Sequence, residues 1–154
     1  MTQEFNIDEL AYRAARCAVN ASPCVFEKAL LMRCTVCELA SRHALAEREA
    51  VACTSAVARM NCAILVELLR ERAAFALKLA PSSQSIAHAA MMKLQCGGLA
   101  GLQHALKVRE PDVHRLVVQA QARWGSLVDL PWPQIVRAVV QWQGRRRRPA
   151  TGGA

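Results

Sequence analysis

The sequence predicts an all-α protein, a compact bundle of about six or seven helices. Good helix formers (alanine, leucine, arginine, glutamate and glutamine) are abundant, and strand patterns are nearly absent. At 154 residues the chain is long enough for one domain with a sizeable core. We therefore expect a helical, cysteine-rich domain over residues 1–143. Residues 144–154, Arg-rich and then rich in Pro, Thr and Gly, are expected to form a disordered tail.

Two helices are predicted to account for the first third of the chain. The first spans about residues 8–20, where small and apolar residues fall on one stripe. Ser22 then serves as an N-cap, and Pro23 occupies the first helical position, where its missing N–H costs nothing. This second helix could continue as far as Val51. The β-branched pair Thr35-Val36 is its weak point.

The remaining helices are each bounded by a recognisable start or stop signal. Thr54 or Ser55 can cap a long third helix that ends before Pro81, and the Gly pair after Cys96 is expected to end the fourth. Asp129 is a suitable cap for the last helix. The helices after the third are predicted over residues 86–95, 99–107, 111–123 and 131–143.

Seven cysteines are the most informative feature of the composition. An odd number cannot be used up by intramolecular disulfides, so ligation explains the set better than pairing does. Five of them form a central set, and the other two, Cys17 and Cys24, are interpreted as small buried hydrophobic residues. The central set consists of Cys34, Cys37, Cys53, Cys62 and Cys96.

The central thiols favour an iron–sulfur cluster, most simply a [4Fe–4S] cluster held by four thiolates. Cys34 and Cys37 would share one helix face, and Cys53 would lie just before a helix start whose N–H groups favour negative charge. The spacing differs from the compact ferredoxin runs. With five candidates for four positions, Cys34 is the expected alternate thiol. The predicted ligands are Cys37, Cys53, Cys62 and Cys96.

Two other functional classes stay open at this point. One is a structural zinc-binding helical interaction module, since zinc also takes thiolate ligands. The other is a thiol-dependent enzyme, with Cys53 as nucleophile because a helix N-terminus lowers a thiol pKa. No base can be assigned to it, so a non-enzymatic role is favoured. The leading hypothesis is electron transfer or the sensing of redox state or oxygen.

Charge and hydropathy indicate the compartment and the partners. The polar, acidic start resembles no secretion signal, and no apolar run reaches the roughly 18 residues of a membrane span, so a cytoplasmic protein is expected. Arg145–Arg148 carry four of the eight net positive charges, and the body is only mildly basic. A redox partner protein is the expected partner. Nucleic acid binding through that Arg run is possible but not favoured, and self-association is left open.

Overall fold

The structure, a computed structural model, describes residues 21–80 and 85–144. This part of the chain is predominantly helical, which confirms the coarse prediction. The predicted helix over residues 8–20, the turn around Pro81 and the tail after Gly144 lie outside the described residues. In chain order the elements are α1 (Glu27–Leu31), β1 (Ala40–Leu45), β2 (Arg48–Cys53), α2 (Ala56–Ala73), α3 (His88–Met92), a π-helical segment (Lys93–Gly97), α4 (Gly98–Leu106), α5 (Val113–Trp124), a 3-10 turn (Leu127–Asp129) and α6 (Trp132–Gln141).

A β-hairpin interrupts the region that the sequence predicted to be one long helix. Strands β1 and β2 pair antiparallel, with Ala40 opposite Cys53 at the end of the hairpin away from its turn. The all-α prediction and the continuous helix to Val51 were therefore wrong here. Propensity differences among ordinary residues amount to only about 0.7 kcal/mol or less, so tertiary pairing overrides them.

The segment before α1 extends this small sheet. The N–H of Cys24 donates to the carbonyl of Val51 at 2.9 Å, and the N–H of Cys53 donates to the carbonyl of Ser22 at 2.8 Å. Pro23 forms an isolated antiparallel bridge with Ala52. Because backbone groups alternate in direction along a strand, this segment lies along the edge of β2 that β1 leaves open. Pro23 thus marks a sheet edge and not a helix start.

The helical core packs around the continuous run from α3 to α4. The sequence predicted that Cys96-Gly97-Gly98 would end a helix, and this was wrong. A Cβ on Gly97 would lie 2.8 Å from the Cα of Val139 in α6, and one on Gly98 would lie 2.6 Å from the Cδ2 of Leu69 in α2. The glycines allow neighbouring helices to approach closely, and the chain passes through them as a π-helical turn.

The helix ends show which capping signals were interpreted correctly. Ser55 caps α2 by accepting a hydrogen bond from the N–H of Ala58, as predicted. Asp112 caps α5 in the same way through the N–H of Arg115. Asp129 was predicted to cap the last helix, but it belongs to the 3-10 turn and α6 has no side-chain cap. None of the described helices is both long and apolar enough to span a membrane.

Candidate metal or cluster site

The structure divides the six described cysteines into one bonded pair and one group of four. Cys34 and Cys96 form a disulfide, with their Cα atoms 6.0 Å apart. The other four thiols are free and partly buried. We call these the four-thiol group: Cys24, Cys37, Cys53 and Cys62. Cys17 lies outside the described residues.

The four-thiol group assembles where β1 begins and β2 ends. Cys53 is the last residue of β2, and Cys24 lies in the segment paired with the edge of that strand. Cys37 precedes β1, and its carbonyl accepts a hydrogen bond from the N–H of Ala40 at 3.2 Å. Helix α2 starts just after β2 and carries Cys62 in its second turn. Four separate parts of the chain thus supply one thiol each.

Electrostatic coupling shows that these four thiols lie near one another. Burial, together with smaller contributions from the charges of Cys24, Cys37 and Cys53, raises the pKa of Cys62 to about 12. Burial also raises the pKa of Cys24 to about 11, again with contributions from Cys37 and Cys53. Because Coulomb interactions weaken with distance, thiols that shift each other's pKa share one local environment.

Backbone N–H groups point at the sulfur atoms of two members of the group. The N–H of Phe26, two residues after Cys24, lowers the pKa of Cys24 against the larger effect of burial. Burial raises the pKa of Cys37, and hydrogen bonds from the N–H groups of Leu39 and His114 oppose that shift. Leu39 follows Cys37 by two residues, just as Phe26 follows Cys24. Donors of this kind stabilise a thiolate and tune a metal or cluster that it binds.

The loop that carries Cys37 is held firmly against the start of α5. The N–H of Val36 donates to the carbonyl of Pro111 at 3.0 Å, and the N–H of Val113 donates to the carbonyl of Val36 at 2.8 Å. The N–H of Glu38 donates to the Asp112 carboxylate at 2.8 Å. These bonds fix the backbone on both sides of Cys37, which holds its thiol in place.

A contact from α2 fixes the segment that carries Cys24. The guanidinium Nε of Arg59 donates to the carbonyl of Pro23 at 2.8 Å. Together with the backbone bonds to β2, this bond ties the thiol of Cys24 to the same scaffold as those of Cys53 and Cys62. The backbone segments that carry these thiols are therefore held together by the fold.

The predicted ligand set and the four-thiol group overlap in three residues. Cys37, Cys53 and Cys62 are the three shared residues, and their thiols influence one another electrostatically. Cys96 is bonded to Cys34, and a sulfur in a disulfide offers no thiolate to a metal. Cys24, interpreted from the sequence as a core residue, takes its place in the group. The helix that would have put Cys34 and Cys37 on one face does not exist, since both follow α1.

The position of Cys24 near the other three thiols could not be predicted from the sequence, because it depends on the sheet. Nothing in its own sequence neighbourhood indicates that residues 22–24 run along β2, so periodicity offered no signal. The order of the chain did contain one hint, since Pro23 is typical of an edge strand as well as of a helix start. A prediction of strand β2, with residues 22–24 paired along its edge, would have placed Cys24 near Cys53.

The present arrangement leaves the sulfur atoms apart. Among residues 21–80 and 85–144, no three His, Cys, Asp or Glu side chains are placed to hold a metal ion as they stand. No family model matches the chain, and no match was found among curated proteins or solved structures. The chemistry of the four thiols is therefore the basis for assigning a function.

The raised thiol pKa values predict alkaline destabilisation of the metal-free protein. The ordinary thiol value is 9.0, against about 11 for Cys24 and about 12 for Cys62 in the folded chain. Above pH 9 the unfolded chain loses these protons while the folded chain keeps them, so the free energy of unfolding should fall as pH rises from 9 toward 11. Urea unfolding under a phosphine reductant, without oxygen, measures this.

A matched variant isolates the contribution of the two thiols. Replacing Cys24 and Cys62 together by alanine should flatten the decline in unfolding free energy over the same pH range, because the other titrating groups are unchanged. An equal slope in both proteins would show that these thiols are not desolvated by the fold.

Proposed function

We propose that the chain binds a [4Fe–4S] cluster through Cys24, Cys37, Cys53 and Cys62 and that it transfers electrons. The observation that carries this proposal is the convergence of four free thiols, each from a different part of the chain, into one electrostatically coupled group. Four cysteine thiolates are the usual protein ligands of such a cluster. A bound cluster would supply one-electron chemistry.

The residues present fit a cluster in number, type and surroundings. Each of the four thiols would serve one iron, which leaves no protein position vacant. The N–H groups of Phe26, Leu39 and His114 would hydrogen-bond two of the ligand sulfurs and lower the cost of their negative charge. Since each sulfur would bind a different iron, a cluster also tolerates wider sulfur spacing than a single ion does.

Electron transfer is favoured over the other uses of a cluster. Ligation of every iron by cysteine leaves no open iron for a substrate, so the protein's task would be to hold the cluster and control its potential. The four cysteines are only partly buried, which gives a redox partner protein a short path to the site. A sensor of oxygen or redox state is the variant of this proposal in which the cluster is lost on oxidation.

We propose the cytoplasm as the compartment of this protein, because thiols stay reduced there.

A thiol-dependent enzyme receives less support from the same group. Burial raises the pKa of Cys24, Cys37 and Cys62, so these thiols are protonated near neutral pH and poor as nucleophiles. The thiol of Cys53 donates to the carbonyl of Ser55 at 3.2 Å. A cation would displace these protons, which is how metal binding and thiol ionisation are coupled.

A structural zinc site is the second candidate, and one observation favours it. A hairpin followed at once by a helix, with thiols at the strand end and in the first helical turns, is an arrangement typical of small zinc modules. Zinc would need the four sulfur atoms to close around one ion at about 2.3 Å each. The domain would then serve interaction and not electron transfer.

Iron, zinc and acid-labile sulfide content, measured on one sample purified without oxygen, tests the proposal. A [4Fe–4S] protein should contain about four irons and four sulfides per chain. A reversible midpoint potential without loss of iron would establish electron transfer, whereas loss in air with a change in partner binding would establish sensing. Zinc without iron or sulfide would replace the proposal by the structural module. A folded protein without any metal would refute both.

A further inference from the structure

The disulfide between Cys34 and Cys96 is strongly asymmetric in its exposure. Cys34 lies in the loop after α1 and is exposed, whereas Cys96 lies in the π-helical segment and is 2% exposed. Cys34 is therefore the residue of the pair that an incoming thiol can approach in the folded protein. Attack at the accessible residue makes the buried Cys96 sulfur the leaving group of the exchange.

The surface around Cys34 suits a thiol-bearing partner. Met32 and Val36, on either side of Cys34, are each 54% exposed although both are apolar. Arg33 directly precedes Cys34, and Arg42 donates to the carbonyl of Leu30 at 3.0 Å, which places a second guanidinium near the end of α1. Apolar side chains offer contact area, and the charge of Arg33 attracts an attacking thiolate, whereas that of Arg42 is partly balanced by Glu49 at 3.2 Å.

Contacts other than the disulfide hold its two ends together. The buried side chain of Gln95 accepts a hydrogen bond from the N–H of Ala29 at 3.0 Å and donates to the carbonyl of Val25 at 3.2 Å. Beyond Cys34, the Thr35 hydroxyl donates to the carbonyl of Pro111. The S–S bond can therefore open while α1 and the π-helical segment stay docked, and the two thiols remain close enough to pair again.

We propose that Cys34 and Cys96 form a thiol–disulfide exchange site whose substrate is a dithiol, either a small molecule or a pair of cysteines in a partner protein. A substrate thiolate attacks the Cys34 sulfur, the Cys34–Cys96 bond breaks, and Cys96 leaves as a thiolate that takes up a proton. The second substrate thiol, losing its proton, then attacks the substrate sulfur of the mixed disulfide. Cys34 leaves and is protonated. The substrate is oxidised by two electrons and the pair is reduced by two.

This proposal stands apart from the four-thiol group. Thr35 and Val36, anchored to Pro111, separate Cys34 from Cys37, so exchange at one site leaves the backbone of the other in place. In a reducing cytoplasm, the compartment proposed above, disulfides are usually transient and catalytic or redox-sensing. Only that supporting point depends on the proposed function.

Two single variants of the full chain test which sulfur exchanges. Each is treated with oxidised glutathione and digested under non-reducing conditions, and the mixed disulfide is located by mass spectrometry. In Cys96→Ser the mixed disulfide should form at Cys34 at least about tenfold faster than it forms at Cys96 in Cys34→Ser, because access governs the rate. In urea the two rates should converge. Equal rates in the folded proteins would overturn the proposal.

A measurement on the unaltered chain covers the case in which a variant fails to fold. The oxidised protein is reduced by dithiothreitol and trapped with iodoacetamide, and the 34–96 linked peptide is followed over time. The rate should rise with dithiol concentration while the circular dichroism signal stays native, and iron and sulfide content should not change. Reduction that is independent of dithiol and as slow as unfolding would overturn the proposal, as would the absence of the linked peptide after oxidation.

Discussion

Replacing any one of Cys24, Cys37, Cys53 and Cys62 by serine is expected to remove most of the bound iron and sulfide. A serine hydroxyl is a harder and less acidic ligand than a thiol, so one iron loses its preferred donor and the cluster becomes unstable. The largest expected effect is a fall from about four irons per chain to near zero after purification without oxygen. Iron, sulfide and visible absorbance, measured on each variant, give the result.

The double variant Cys34→Ser, Cys96→Ser is the matched control for this experiment. It also removes thiols from the central set, but the structure places both outside the four-thiol group, so iron and sulfide should be retained. The comparison of Cys24 with Cys96 decides between two ligand sets. If the Cys96 variant lost iron and the Cys24 variant kept it, the set predicted from the sequence would be correct and the four-thiol group would not be the site.

Phe26→Ala is expected to have the largest effect on stability. Phe26 follows Cys24 by two residues in the chain. It is 0% exposed and belongs to the main apolar core. Truncating a buried phenylalanine costs about 3–5 kcal/mol, since the transfer free energy is lost and a cavity is left behind. That is a large share of the roughly 5–15 kcal/mol that stabilises a typical domain. Urea unfolding of the metal-free, oxidised protein measures the change.

Phe75→Ala provides the same chemical change at the surface. Phe75 is 96% exposed, so its truncation should alter the free energy of unfolding by no more than about 0.5 kcal/mol. The two variants together separate burial from the loss of an aromatic ring as such. Comparable losses from both would mean that Phe26 is not part of the core.

The long helix after the hairpin could be predicted because its signals are local. Ser55 as a cap and the apolar residues that follow it were sufficient to place the start of α2, and with it the positions of Cys53 and Cys62, although α2 ends at Ala73 and not just before Pro81. The two glycines after Cys96 were predicted from local signals to end a helix, and they do not. A Gly pair ends a helix in isolation, but it also allows two helices to touch, and only the position of Val139 shows which applies.

The amino-acid sequence alone indicated the chemistry available to this protein. Seven thiols, an odd number, in a chain of mainly helical composition predicted ligation and a largely helical domain. Which thiols lie near one another depends on the tertiary structure. Cys24 joins Cys37, Cys53 and Cys62 because backbone hydrogen bonds lay its segment along β2, and Cys96 pairs with Cys34 because the π-helical segment packs against α1. Contacts between residues far apart in the chain leave no periodic trace in the sequence, so only the folded structure reveals them.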